Sequence, residues 1–342
     1  MATQRPQFFL REEELPAGTA AIDAFESALT ELFFIRNPRL KKGMPEAAES
    51  LADFLSSHGI RPVWVHYPWR NVAVRTVPEE LYFELRTARN RNLITKEEQK
   101  NYRNLTVGIA GLSVGSAVLS SLVASGGPKR IKIADPDIIE ITNLNRIRAC
   151  LLDAGLNKTA VAARNVWELD PFAELYIWEN GVGEDTLEDF IGSDPRLDIF
   201  IDQMDALHLK FLAREICRAH KIPLVMATDN GDGVIVDVER FDQEPKQPIF
   251  HGRLENIKST DVKNLDRKRW LEIAVKIVGL ENHPPRMRES LGEIGKTIAG
   301  VPQLGTSAAL AGAAVSFAMR RIANRQAMPS GGYRIDLDQI FV

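Results

Sequence analysis

From residue 105 onward the apolar positions alternate between two periods. Residues 105–110 repeat every second position, the spacing of a strand, and run into Gly111-Leu-Ser-Val-Gly-Ser116. A helix-like apolar run over 117–124 follows and stops at Gly126-Gly-Pro128. Residues 130–134 predict a second strand that ends in Asp135-Pro-Asp137. This is a β-α-β unit of about thirty residues, the length a parallel crossover needs. Ala162, Val166 and Leu169 form one face of a helix over 158–169. Residues 175–178 and 197–201 read as strands, the second closing in Asp202-Gln-Met-Asp205. A helix at 206–220 and a strand at 223–227 come next. Strands alternating with helices predict an α/β fold, a Rossmann-like and mostly parallel sheet with flanking helices. At 233–241 the pattern turns to antiparallel pairing, an extension on the C-terminal side. Helices at 268–278 and 308–324 and a last strand at 331–338 complete it.

Before residue 105 the pattern is sparser. Helical spacing occurs at 20–34 and 46–58, a short proline-ended strand at 61–69, and a helix at 77–86 with Pro78 in its first turn. A small, mainly helical N-terminal accessory region over 1–88 is expected, followed by a domain over 89–342 whose nucleotide-binding core spans 105–230.

Composition narrows the class of protein. A chain of 342 residues, 44 % hydrophobic and 26 % charged, suits a soluble globular protein with a full core. A net charge of −3 gives no reason to expect nucleic acid or an anionic membrane as the partner. The first ten residues lack a basic-then-apolar leader pattern, and no apolar run reaches about eighteen residues. Two cysteines, Cys150 and Cys217, support neither a disulfide framework nor a four-cysteine zinc site, and both read as buried small hydrophobes. The expected location is cytoplasmic.

Candidate chemistry clusters after the strands. A strand–glycine turn–helix at Gly111, Ser113 and Gly115 presents backbone N–H groups and a helix N-terminus to phosphate. By itself this also describes an ordinary tight turn. Asp135, about twenty residues on, stands where dinucleotide folds place an acid on the ribose, in NAD and ATP alike. Asn143, Arg146 and Lys158 follow in order. A paired Arg and Lys suit a triphosphate, whose α-phosphate must be neutralised before a carboxylate attacks it. Asp202 and Asp205 end a parallel strand, where a carboxylate can hold Mg²⁺.

Those motifs, with Gly155-Leu-Asn-Lys158, resemble the ThiF/MoeB/HesA family of bacterial relatives of ubiquitin-activating enzymes. The order and spacing match over 89–227, and 301–337 resembles the family's closing helix and strand. The Gly-Leu-Ser-Val-Gly loop looks like a bacterial subset. The resemblance implies ATP-dependent adenylation of a carboxyl group, commonly the C-terminus of a ubiquitin-like protein, with ATP and Mg²⁺ required. By that resemblance Asp135 holds the ribose, Asn143, Arg146 and Lys158 contact phosphates, and Asp205 holds Mg²⁺. Arg91 is similar to an arm arginine that reaches the ATP of a second subunit, which implies a homodimer. The chain departs from the family at a phosphate loop one residue short, at Ile147 where Gln is common, and at Ala206 where Asn is common. It also lacks paired C-x-x-C motifs and any cysteine after Ala227, so adenylation without a thioester relay is expected. A non-catalytic nucleotide-binding scaffold and a nicotinamide-dependent oxidoreductase are the alternative readings.

Overall fold

The computed structural model describes residues 3–254 and 257–341. The chain divides into two compact units. One holds the residues up to Lys96 with Trp167–Phe172, and the other Glu97–Val166 with the residues from Ala173 on.

The first unit contains β1 (Gln7–Phe9), β2 (Ala20–Asp23), α1 (Phe25–Arg36), α2 (Pro45–Ser57), β3 (Val63–Tyr67), β4 (Val72–Thr76) and α3 (Glu79–Arg86). Its sheet runs β1-β3-β4-β2, with β2 parallel to β4 and the other pairs antiparallel. The apolar faces of the helices bury Phe25, Leu29 and Val77 with Phe54 and Leu81. The helical spacing read at 20–34 begins only at Phe25. Ala20–Asp23 instead borrows its hydrogen bonds from β4, and the Asp23 carboxylate accepts the Phe25 N–H at 2.9 Å, ending the strand and starting the helix. The helices are therefore joined by a sheet of which the sequence announced one strand.

The second unit begins with α4 (Lys96–Asn104), whose first residue belongs to the other unit. It continues with β5 (Thr106–Ala110), α5 (Val114–Ala124), β6 (Arg130–Ala134), α6 (Lys158–Leu169), β7 (Glu174–Trp178), α7 (Leu187–Gly192) and β8 (Ile199–Asp202). Then come α8 (Leu207–His220), β9 (Leu224–Asn230), β10 (Gly233–Glu239), α9 (Arg267–Val278), α10 (Pro285–Glu293), α11 (Gly305–Ala323), β11 (Gly331–Ile335) and α12 (Leu337–Ile340). The sheet order is β11-β10-β9-β8-β5-β6-β7, parallel from β9 through β7 and antiparallel at β10 and β11. This is the mostly parallel sheet with the antiparallel C-terminal extension that the periodicities indicate.

From β5 the chain moves to β6 and β7 on one side and returns to β8 and β9 on the other. The order thus reverses beside β5, and in open α/β sheets ligands bind in the crevice at that reversal, outside the carboxyl ends of the strands. The central strands are buried on both faces, and every residue of β5 and β8 is buried. Against β8 to β10, α8 packs an apolar face around Phe200, Phe211 and Phe250. Into that core it also carries Arg214, which is fully buried. Arg214 meets Asp202 at 2.7 Å and Glu239 at 2.6 Å, and its guanidinium lies 3.8 Å from the Phe250 ring centre. Buried charges survive there only because each faces an opposite one. On the other face α11 reaches α5 closely. A Cβ on Gly312 would lie 2.6 Å from the Ala117 carbonyl, so only glycine allows this approach.

Candidate active site

The loop after β5 is shaped by contacts that tolerate no side chain. Gly111 has φ +91°, and a Cβ there would sit 2.1 Å from the Gln203 carbonyl oxygen. Its N–H donates to Ala134 at 2.8 Å, and the Gln203 N–H donates to Ala110 at 2.8 Å. The ends of β5, β6 and β8 are thereby stitched together. Gly115 lets the first turn of α5 sit on β5, where a Cβ would meet Ile109 at 3.2 Å. Helix α5 starts at Val114, three residues earlier than the apolar run suggested. Its N-terminal end, at Ser113 and Val114, borders a cavity of about 510 Å³.

Five of the residues singled out from sequence line that cavity: Ser113, Asn143, Arg146, Lys158 and Asp205. Arg146 is held as a splint across the loop. Its Nε donates to Ser113 Oγ at 3.0 Å, and its Nη1 donates to Thr142 O at 3.2 Å and Asn145 Oδ1 at 2.9 Å. Asn143 is nearly buried and caps its own turn, its side-chain oxygen accepting the Glu140 N–H at 3.1 Å. Lys158, also nearly buried, pairs with Asp137 at 2.7 Å and lies 3.8 Å from Asp135. Asp205 is exposed and makes no hydrogen bond or ion pair among the described residues.

The remaining candidates sit elsewhere. Asp135 does not line the cavity. It is buried behind the loops, where its two oxygens accept the Leu112 N–H at 2.6 Å and the Asp137 N–H at 2.9 Å. Burial raises its pKa above the ordinary carboxylate value, against those hydrogen bonds and Lys158. Gly111 and Gly115 shape the wall without facing the space. Arg91 belongs to the other unit and pairs with Glu84 at 3.1 Å.

Two sequence readings need correction. Asp202 is no metal ligand, because it is fully buried and spent on Arg214 at 2.7 Å and Lys210 at 3.2 Å. Burial alone would raise its pKa, but Lys210 and Arg214 together hold it below the ordinary value. Cys150 is exposed, not buried. It opens a short turn at Leu151–Asp153, where its own N–H donates to the Asp153 carboxylate at 2.8 Å. Cys217 is buried as read, and burial pushes its thiol well above the usual range.

The cavity also holds residues that the motifs did not single out. Lys210, from α8, connects it to the buried Asp202 and Arg214. Gln303, before α11, is anchored by the Asn145 side-chain amide donating to its carbonyl at 2.8 Å. Asp229, near the end of β9, is 8 % exposed, and neither carboxylate oxygen has a hydrogen-bond partner. Ser307 stands nearby but donates its hydroxyl to Leu304 at 2.9 Å. Burial pushes the Asp229 carboxyl up to about 6, with Arg146 and Ser307 opposing only in part. The signal for Asp229 was present. It lies at the carboxyl end of the strand read at 223–227, where the rule already applied to Asp202 and Asp205 also holds.

Known proteins resemble this chain in sequence and in fold. The profile of the ThiF family matches residues 87–328. The chain is 36 % identical to the uncharacterized protein MT1398 of Mycobacterium tuberculosis over 80 % of its own length, but it spans only 38 % of that protein. It is 25 % identical to tRNA threonylcarbamoyladenosine dehydratase of Bacillus subtilis, over 60 % of the chain and 78 % of the relative. The crystal structure of E. coli MccB with ATP superposes with a TM-score of 0.51 at 17 % identity, covering 89 % of this chain and 80 % of that one, which is a likeness of fold. The chain therefore belongs to the ThiF family.

Proposed function

We propose that this chain uses the cavity at the ends of β5, β6, β8 and β9 to join AMP from ATP to a carboxylate, releasing pyrophosphate. The acceptor is the C-terminus of a ubiquitin-like protein or peptide, or a small acid. The observation that carries the reading is the convergence of Ser113, Asn143, Arg146, Lys158 and Asp205 on one space, although they come from separate stretches of the chain.

The residues divide the work. The N-terminus of α5, which the tight Gly111 turn positions, offers its unfilled N–H donors to phosphate oxygens. Arg146, already braced on Ser113, gives a fixed cation whose position costs no reorganisation when charge builds at the α-phosphorus. Lys158 is held in reserve by Asp137 and must exchange that carboxylate for a phosphate oxygen when nucleotide arrives. Asp135 supports the site from behind by tying Leu112 to Asp137, and its oxygens keep further lone pairs for a ribose hydroxyl. The acceptor carboxylate oxygen attacks the α-phosphorus in line. The bond to the bridging oxygen of pyrophosphate breaks, and acyl-AMP remains. Catalysis of this kind is positioning and charge neutralisation.

Mg²⁺ fits the residues present, since Asp205 offers an unpaired carboxylate and the cation favours one or two carboxylates with phosphate oxygens. Asp205 would hold it, and the chemistry it would supply is charge neutralisation of the departing pyrophosphate. No thioester relay is proposed, because Cys217 is sealed in the core with its thiol protonated and Cys150 does not line the cavity. A homodimer in which Arg91 reaches across, an accessory role for residues 1–88, and a cytoplasmic location belong to the same proposal. Among the described residues no helix is long and apolar enough to cross a membrane.

Equilibrium titration tests the nucleotide half. ATP-Mg is expected to bind far more tightly than NAD, and Arg146→Ala to weaken ATP by tenfold or more. Preference for NAD would overturn the reading.

A further inference from the structure

The carboxyl ends of β8 and β9 bring two acids to one cavity, and only one of them was expected. The two strands are parallel, with Asp202 opposite Met226. Asp205 lies three residues beyond the end of β8, and Asp229 is the next-to-last residue of β9. Both residues line the cavity. Asp229 is nine-tenths buried, and both of its oxygens lie shielded from solvent without a donor. A buried anion left without a partner is costly, so the site as folded is short of one positive group.

The neighbours do not supply it. Arg146 donates to Ser113, Thr142 and Asn145 and forms no ion pair with Asp229 among the described residues. Lys210 is committed to Asp202, and Lys158 to Asp137. The expected ligands worsen the balance, since a triphosphate and an acceptor carboxylate are both anions. Two carboxylates facing a triphosphate make sense when a hard divalent cation lies between them, because such ions take oxygen donors of this kind.

We propose that Asp229 is a second carboxylate ligand, beside Asp205, for the divalent cation that accompanies the nucleotide. The proposal rests on the adenylation reading of the same cavity. It makes a distinctive claim about the metal-free molecule. With no cation present, Asp229 repels the triphosphate, so removing its charge leaves nucleotide binding unchanged or strengthens it. With the cation present, the same change weakens the metal.

The experiment uses the full chain and Mn²⁺, whose free concentration is read directly by electron paramagnetic resonance, with and without a non-hydrolysable ATP analogue. Asp229→Asn is the main variant, with Asp229→Ser as a second should the first misfold, and Asp205→Asn as the reference. For Asp229→Asn in the analogue complex, Mn²⁺ affinity is expected to fall tenfold or more. Metal-free analogue binding is expected to be no weaker than in the unaltered chain. A fall of less than tenfold, while Asp205→Asn loses the metal, overturns the proposal and leaves the adenylation reading intact. Loss of metal-free analogue binding overturns it as well, because Asp229 then positions Arg146. An unaltered chain that binds neither analogue nor Mn²⁺ removes both readings together.

Discussion

Asp229→Asn has a consequence for stability that requires no ligand. The Asp229 carboxyl is moved by burial from 3.8 to about 6. Each unit of such a shift corresponds to about 1.4 kcal/mol, so at neutral pH the folded chain carries up to about 3 kcal/mol of penalty for keeping this group charged. The direction follows from proton binding. Between about pH 4 and 6 the unfolded chain has already released the proton while the folded chain retains it, so this group lowers stability as pH rises, and above pH 6 the cost is complete. Asparagine keeps the shape and has no charge to bury. The variant is therefore expected to gain relative to the unaltered chain on going from pH 4.5 to pH 7.5, by about 2 of those 3 kcal/mol. Urea unfolding followed by circular dichroism at the two pH values measures the difference between differences. Any pH-independent loss from the new amide cancels in that comparison. A variant whose offset is the same at pH 4.5 and 7.5 would refute the buried, unpaired assignment of Asp229.

Other outcomes follow from the same contacts. Gly111→Ala forces a Cβ to within 2.1 Å of Gln203 O in a backbone region that costs L-residues about 1–2 kcal/mol, so it should lower the melting temperature and abolish ATP binding in calorimetry. Arg214→Met leaves Glu239 buried without a counter-charge and Asp202 with Lys210 alone, and denaturant titration should show a loss of about 3–5 kcal/mol. Cys150→Ser should leave pyrophosphate exchange within twofold of the unaltered chain, since no step requires that thiol. A large loss would reinstate a covalent intermediate.

The second unit was legible because its signals are local. Residues 130–134 and 158–169 appear as β6 and α6 with the bounds read from the chain, and the strand ends carried most of the chemistry. The first unit was less so. β4 offers only the short alternation of Val72, Val74 and Thr76, and β2 is an exposed edge whose hydrogen bonds come from β4, 52 positions further along the chain, a pairing that neither composition nor period announces. At the site, order along the chain found Arg146, Lys158 and Asp205. It did not show that Lys158 is held by Asp137, because that depends on the spatial meeting of the β6 end with the start of α6. It mistook Asp202 for a possible ligand for the same reason, since Arg214 arrives from the next helix and consumes it. Asp229 was passed over because no motif contains it, although it stands near the carboxyl end of β9 and lines the same cavity as Asp205.

Carboxylate-dependent exchange of labelled pyrophosphate into ATP tests the central claim most directly. The full chain is assayed with a panel of peptides and small acids, beside Arg146→Ala and Lys158→Ala. Exchange with at least one carboxylate is expected, reduced about 10²- to 10³-fold in each variant, the loss typical when one preorganised donor is removed from a transition state. ATP bound tightly with no exchange for any carboxylate, or exchange indifferent to Arg146 and Lys158, would contradict it.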